Sequence, residues 1–202
     1  MSFLSINTAI KLLLFFLLVI NLSDALFTPL FAVFATGSIP GVRLTHIGMM
    51  IAIYSLAKAV VQMPVAAILD KKRGERDEYQ AILLGALIGV IYPFGLMLSS
   101  SIIHLYVLAA INGVGGASLM AAYYALFAHH TDKKIEGFEW SLLSVFGLTL
   151  STALGSLLGG IISDSFGFQT TLMAVGILNS CAILILVFFS PYIQKIRQAA
   201  VS

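Results

Sequence analysis

The sequence predicts an all-α membrane protein with six transmembrane helices, and three observations predict it. Residues of the AVILMFWYC set make up 59% of the 202 residues and charged residues only 10%, with a mean hydropathy of +1.01. A soluble domain of this length leaves too much surface facing water to hide so many apolar side chains, so lipid is the natural solvent. The apolar residues fall into six stretches, each close to the roughly 20 residues needed to cross a hydrocarbon core of about 30 Å. The connectors between them are too short for an aqueous domain.

The stretches run 10–35, 47–69, 81–98, 103–128, 140–162 and 171–189. The first, LLLFFLLVI after Lys11, has the look of a secretory leader. Its apolar run continues through Asp24 to Phe34 without a small-x-small cleavage site, so it reads as span one. GSIPGVRLTH, DKKRGERDEYQ, SSSI, HHTDKKIEGFE and SDSFGFQT join the stretches and make consecutive helices antiparallel neighbours. The whole chain, 1–202, therefore reads as one bundle with a polar tail at 191–202.

Lys11, Lys71, Lys72, Arg73, Arg76, Lys133, Lys134, Lys195 and Arg197 fall on one side of the membrane, and only Arg43 lies on the other. The excess of loop lysine and arginine on the cytoplasmic side places both termini there. An even number of spans requires the same. A bacterial inner membrane is the expected location.

Several function classes are excluded. A net charge of +2 with no long basic run gives no footprint for nucleic acid. One cysteine, Cys181, leaves no intramolecular disulfide and no multi-cysteine metal site, and it reads as a small packing residue. His46, His104, His129 and His130 fall at interfaces or loops and read as solvated side chains rather than metal ligands. HExxH, GxSxG and P-loop patterns are absent, so no catalytic residue, no metal and no cofactor is expected.

Helix association in lipid relies on close backbone approach and interhelical hydrogen bonds. Gly113, Ala117, Ala121 and Ala125 recur every fourth residue in span four. Ser151, Gly155 and Gly159 do so in span five, with Thr152, Ser156 and Gly160 alongside. Residues at this spacing share a helix face, which predicts tight packing at Gly113, Ala117, Gly155, Gly159 and Gly160. Span three offers Gly85 and Gly89, then a kink at Pro93.

The informative residues are those lipid should exclude. Asn21, Asp24 and Thr28 form one stripe in span one, Tyr54, Lys58 and Gln62 one stripe in span two, and span four adds Asn112. Asp24 lies 14 residues beyond Ile10, and Lys58 lies 11 before Leu69. At 1.5 Å per residue both reach the middle third of the bilayer, about 4 to 5 Å apart in depth. A lone charge there costs at least about 2.5 to 3.5 kcal/mol, so Asp24 and Lys58 are expected to face one polar cavity, either paired or separately satisfied. Asp24 then has two open roles: exchanging a proton, or binding a cationic or hydroxyl-bearing solute.

PVAAILDKKRG at 64–74 is echoed by LGGIISDSFG at 158–167, each a helix end running into Asp, Gly and a further apolar helix. The echo relates about 8–99 to about 102–190, and an odd number of spans per copy makes the two copies inverted.

The segment AAILDKKRGER, from Ala66 to Arg76, resembles the signature between helices two and three of major facilitator superfamily transporters. The resemblance implies one bundle of that superfamily, built of two inverted three-helix repeats. It further implies a loop, with Gly74 as the motif's glycine, that latches one side in alternating access: Asp70 pairing with a basic group or helix end, and Lys71, Arg73 and Arg76 engaging acidic partners. STALGSLLGG at 151–160 resembles the family's helix-five motif with Ser156 in place of proline, and NGVGGA at 112–117 its helix-four motif. Ala109 stands where the latter has arginine, so proton coupling through that arginine does not carry over. The run HTDKKIEGFEW at 130–140 resembles a branch of bacterial proteins of the superfamily.

Such transporters have two six-helix bundles with the solute between them, and this chain has one. The expected function is secondary transport of a small solute, with possible proton coupling, by a half-transporter. A homodimer is the first expectation for the second bundle, with a half encoded elsewhere, or a piece of a longer transporter, as alternatives. The competing function is a non-transporting membrane subunit or scaffold that regulates a partner.

Overall fold

In the computed structural model residues 6–72 and 75–201 are described, with side chains given except at Lys72 and 189–201. Arg73 and Gly74 of the loop motif lie outside the described residues, as do the side chains of Lys72, Lys195 and Arg197.

The described chain is helical throughout. α1 (Thr8–Phe27) is capped by Asn7, whose side chain accepts from the Ala9 amide at 3.1 Å. A 3₁₀ turn over Thr28–Leu30 joins it to α2 (Phe31–Ser38), and the two together make span one. Pro29 has no amide hydrogen, so the α ladder tightens there. Span one thus passes through a 3₁₀ turn just after Asp24, a feature its unbroken hydropathy did not announce.

Gly41, at φ 79°, turns the chain into α3 (Leu44–Lys72), and α4 (Glu75–Met97) and α5 (Ile102–His130) follow as single helices. Span five comprises α6 (Glu136–Leu142), a π-helical segment over Leu143–Leu150 and α7 (Ser151–Phe166). Gly167, at φ 83°, ends it. α8 runs Phe168–Val201, so residues 191–201 continue the helix instead of leaving it as a separate tail. Six stretches of these helices are long and apolar enough to cross a membrane.

α5 packs against both α3 and α4, α4 against α8, and α8 and α7 both against α1, while α1 and α5 meet only lightly. Spans four, three, six and one thus close a ring, with span two attached outside span four and span five outside span one. These main pairs map onto themselves when spans one, two and three exchange with four, five and six, a relation consistent with two inverted repeats.

The small residues set these contacts. A Cβ on Gly113 would strike the Tyr54 carbonyl and Ala57, one on Gly155 the Leu22 carbonyl and Ala25, and one on Gly159 the Leu26 carbonyl. Ala117 is fully buried. Gly160, expected on the same seam, has open space where its Cβ would stand. One residue further along, it is turned about 100° away from the Gly159 contact. Cys181 is also corrected: it is exposed on the outside of the bundle and fills no internal gap.

Two apolar cores occupy the two ends. One gathers Leu13, Phe16 and Leu17 with Tyr123 and Phe127, at the end carrying residue 8 and the 72–75 connection. The other gathers Phe27, Phe31 and Phe34 with Leu105 and Leu172, at the end carrying the 38–44 connection. Large apolar side chains such as Val60, Met63, Ile91 and Phe188 point outward, as lipid contact requires.

Candidate solute cavity

Lipid offers backbone groups no partner, so span-to-span hydrogen bonds fix how each helix is rotated. The Ser23 hydroxyl donates to the Val175 carbonyl at 2.9 Å, and the Tyr123 hydroxyl to the Leu13 carbonyl at 3.1 Å. The Asn179 amide donates to the Gly89 carbonyl at 2.9 Å. Pro93 lacks the amide hydrogen that would otherwise fill that acceptor, and α4 runs on through it to Met97. The expected kink at Pro93 therefore does not end or divide the helix.

With the helices so rotated, a cavity of about 340 Å³ opens beside the second core. Asp24 and Thr28 reach it from span one, Tyr54 from span two, Tyr92 from span three and Asn112 from span four. Phe27, Phe31, Leu172 and Val175 supply apolar wall. A few polar groups converging on a largely apolar pocket is the usual form of a small-molecule site, and this volume suits a small solute.

Asp24, on the last turn of α1, is exposed at the cavity wall. Lys58 is not on that wall but at its margin, its Nζ 5.9 Å from the centroid of the Tyr54 ring. Asp24 and Lys58 are not within the 4.0 Å of an ion pair. Asp24 lines the cavity, Lys58 does not, and the two are not directly paired.

The remaining stripe residues divide. The Thr28 hydroxyl donates to the Asp24 carbonyl at 2.7 Å while its side chain faces the cavity. Asn21 donates to the Leu17 carbonyl of its own helix at 3.1 Å and does not line the cavity. Gln62, two turns beyond Tyr54, is half-buried and also lies off it. Tyr92 was missed by sequence reading. Its signal was present, a hydroxyl just before a proline in mid-apolar sequence, but aromatic residues in spans are common enough to pass as packing.

The opposite end carries a second polar cluster. Glu78, in the first turn of α4, is 1% exposed, and its Oε1 lies 3.2 Å from His129 Nδ1 at the end of α5. His130 Nδ1 lies 3.0 Å from the Leu126 carbonyl, and its Nε2 3.9 Å from Glu75 Oε1. Glu139 is fully buried, and its Oε2 accepts the Asp132 amide at 2.8 Å. The side chain of His130 is 5% exposed, which corrects its reading as a solvated residue. His46 and His104 do sit at helix starts, their Nδ1 atoms accepting from the Arg43 and Ser100 amides.

Asp70 and Lys71, at the end of α3, and Arg76 are exposed and take no part in an ion pair among the described residues. Among the described residues the ion pairs implied for them are not formed. The acids at this end face span four's terminus instead: Glu78 is bonded to His129 and Glu139 to the 132 amide.

The sequence profile of the Major Facilitator Superfamily matches residues 13–201. No significant match to the chain is found among curated proteins or among solved structures. A profile spanning nearly all of the six-span bundle that holds this cavity settles the family: the chain belongs to the Major Facilitator Superfamily, and it is a multi-pass integral membrane protein of that transporter kind.

Proposed function

We propose that this chain is half of a secondary active transporter, which moves a small solute by alternating access against a second six-helix bundle. The carrying observation is the cavity of about 340 Å³ where Asp24, Tyr54, Tyr92 and Asn112 converge at membrane depth. A carboxylate there cannot face acyl chains without a cost of several kcal/mol. A second bundle over the cavity removes the cost and creates a closed path for the solute. A second copy of the chain, related by a two-fold axis along the membrane normal, is the simplest cover, since most oligomers are symmetric homo-oligomers. A half encoded elsewhere is the alternative.

The packing symmetry of spans one to three against four to six supports an inverted-repeat bundle of about 8–99 and 102–190. The basic connections at 70–76 and 129–139 support a cytoplasmic location for that end and for both termini, and a bacterial inner membrane is the location we infer.

Gradient-driven uptake into proteoliposomes tests the reading. Uptake is expected from the chain alone in dimeric form. Strictly monomeric particles in lipid nanodiscs, with no flux, would sink the homodimer. One observation favours a non-transporting subunit instead: the most apolar stretch of α3 fully buries no side chain within the bundle, leaving the face of α3 away from α5 open to a partner. Copurification with one fixed membrane protein, again without flux, is the outcome that would select this reading.

A further inference from the structure

The chemical class of the solute follows from how the cavity holds its charges. Asp24 is a carboxylate on the cavity wall with no hydrogen-bonded side-chain partner among the described residues, and Lys58 at the margin has its Nζ 5.9 Å from the centroid of the Tyr54 ring. The two lie beyond the 4.0 Å of an ion pair. Two opposite charges at membrane depth that do not meet each remain under-compensated, and a site in that condition gains most from a ligand carrying both complements.

A cation alone would satisfy Asp24 and be repelled by Lys58. An anion alone would meet the reverse. Tyr54, Tyr92 and Asn112 bring hydroxyl and amide groups to the same cavity as Asp24, and Phe27, Phe31 and Leu172 line it with apolar faces.

We propose that the cavity binds a zwitterionic solute, an ammonium-carboxylate compound with a small apolar body. Its ammonium meets Asp24, its carboxylate meets Lys58 and the Tyr54 hydroxyl, and its body packs on the phenylalanine wall. The volume of about 340 Å³ limits that body to one ring or one branched chain. Tyr54 has a second duty in this arrangement: its ring holds the Lys58 ammonium in place by cation–π attraction and so aims it at the cavity. The assignment rests on the transport reading for the identity of the site.

The test uses two matched trios of probes and the whole chain in lipid nanodiscs, read by titration calorimetry. One trio is phenylalanine, phenethylamine and 3-phenylpropionate; the other is leucine, isopentylamine and 4-methylpentanoate. Within a trio the body is constant and only the charges change. The zwitterion of at least one trio is expected to bind tenfold or more tightly than its amine and its acid. Asp24→Asn is expected to erase the advantage over the acid, Lys58→Gln the advantage over the amine, and Lys58→Arg to keep both.

An amine or an acid that binds as tightly as its zwitterion overturns the assignment, and so does the failure of all six to bind at millimolar concentration. Proteoliposome uptake separates this outcome from failure of the transport reading. Uptake of the amine alone sinks the zwitterion and leaves the transporter, whereas a zwitterion bound with the expected variant pattern but never taken up leaves the site and sinks the transporter.

Discussion

The side-chain amide of Asn179 donates to the carbonyl of Gly89 at 2.9 Å, filling the acceptor that Pro93 leaves without its helical donor. Span six thereby completes the backbone of span three. Asn179 is 2% exposed, and its own Oδ1 has no partner, so the residue is held for its donor. Asn179→Leu is expected to destabilise the bundle by about 1 to 2 kcal/mol, because a carbonyl in hydrocarbon is left unpaired. Pro93→Ala restores an amide hydrogen to Gly89. The cost of Asn179→Leu should therefore shrink in the Pro93→Ala background, and a denaturation cycle in detergent reads the coupling. Equal costs in both backgrounds would contradict the shared acceptor.

Adjacent glycines should behave oppositely. Gly159 lies where any Cβ meets the backbone of Leu26, and Gly160 faces open space. Gly159→Leu forces spans five and one apart, an overpacking cost of about 1 to 3 kcal/mol or a failure to assemble. Gly160→Ala should leave the melting temperature within a degree or two. Fluorescence-detected size exclusion after heating distinguishes them.

Tyr123 tests the other core. It is fully buried, stacks between Phe16 and Phe127, and donates its hydroxyl to Leu13 at 3.1 Å. Tyr123→Phe keeps the ring and loses one hydrogen bond, an expected loss of about 0.5 to 1.5 kcal/mol. Tyr123→Ala removes the stacking as well and should cost about 3 to 5 kcal/mol.

At the end carrying residue 8, His129 pairs with one oxygen of the buried Glu78, and the other, Oε2, has no hydrogen-bond partner among the described residues. His129→Leu strips the second oxygen and is expected to cost about 1 to 3 kcal/mol. Adding Glu78→Gln should recover part of that loss, since a neutral amide is cheaper to bury than an unpaired carboxylate. A double-variant melt no higher than that of His129→Leu alone would show that the contact carries no stability.

Asp24→Asn addresses coupling. If the carboxylate exchanges a proton during transport, the amide variant loses the pH dependence of uptake in proteoliposomes, read at saturating solute because the same variant weakens binding. Unchanged pH dependence would leave Asp24 as a binding group only.

How much of this was legible in sequence differs between levels. Hydropathy marked all six spans to within a few residues, because a chain crossing lipid must be helical and apolar over a fixed length. Asp24, Tyr54 and Asn112 stood out because lipid excludes polar groups, and they converge on the cavity. Asn21 stood out equally, yet it is satisfied by the carbonyl four residues back on its own helix, a choice that its type and spacing do not reveal. Glu78 and Glu139 read as loop charges, and their burial depends on how the ends of α4, α5 and α6 meet.

The sequence by itself determined that this protein lives in a membrane as six helices and which of its residues are costly there. Both are properties of composition along a single helix. Only the tertiary structure decided which of those residues face one another. Helix rotation is set by close contacts such as Gly159 on Leu26 and hydrogen bonds such as Asn179 to Gly89, each joining residues far apart in the chain. A turn of 100° between neighbours decides whether a side chain meets the cavity, another helix or lipid.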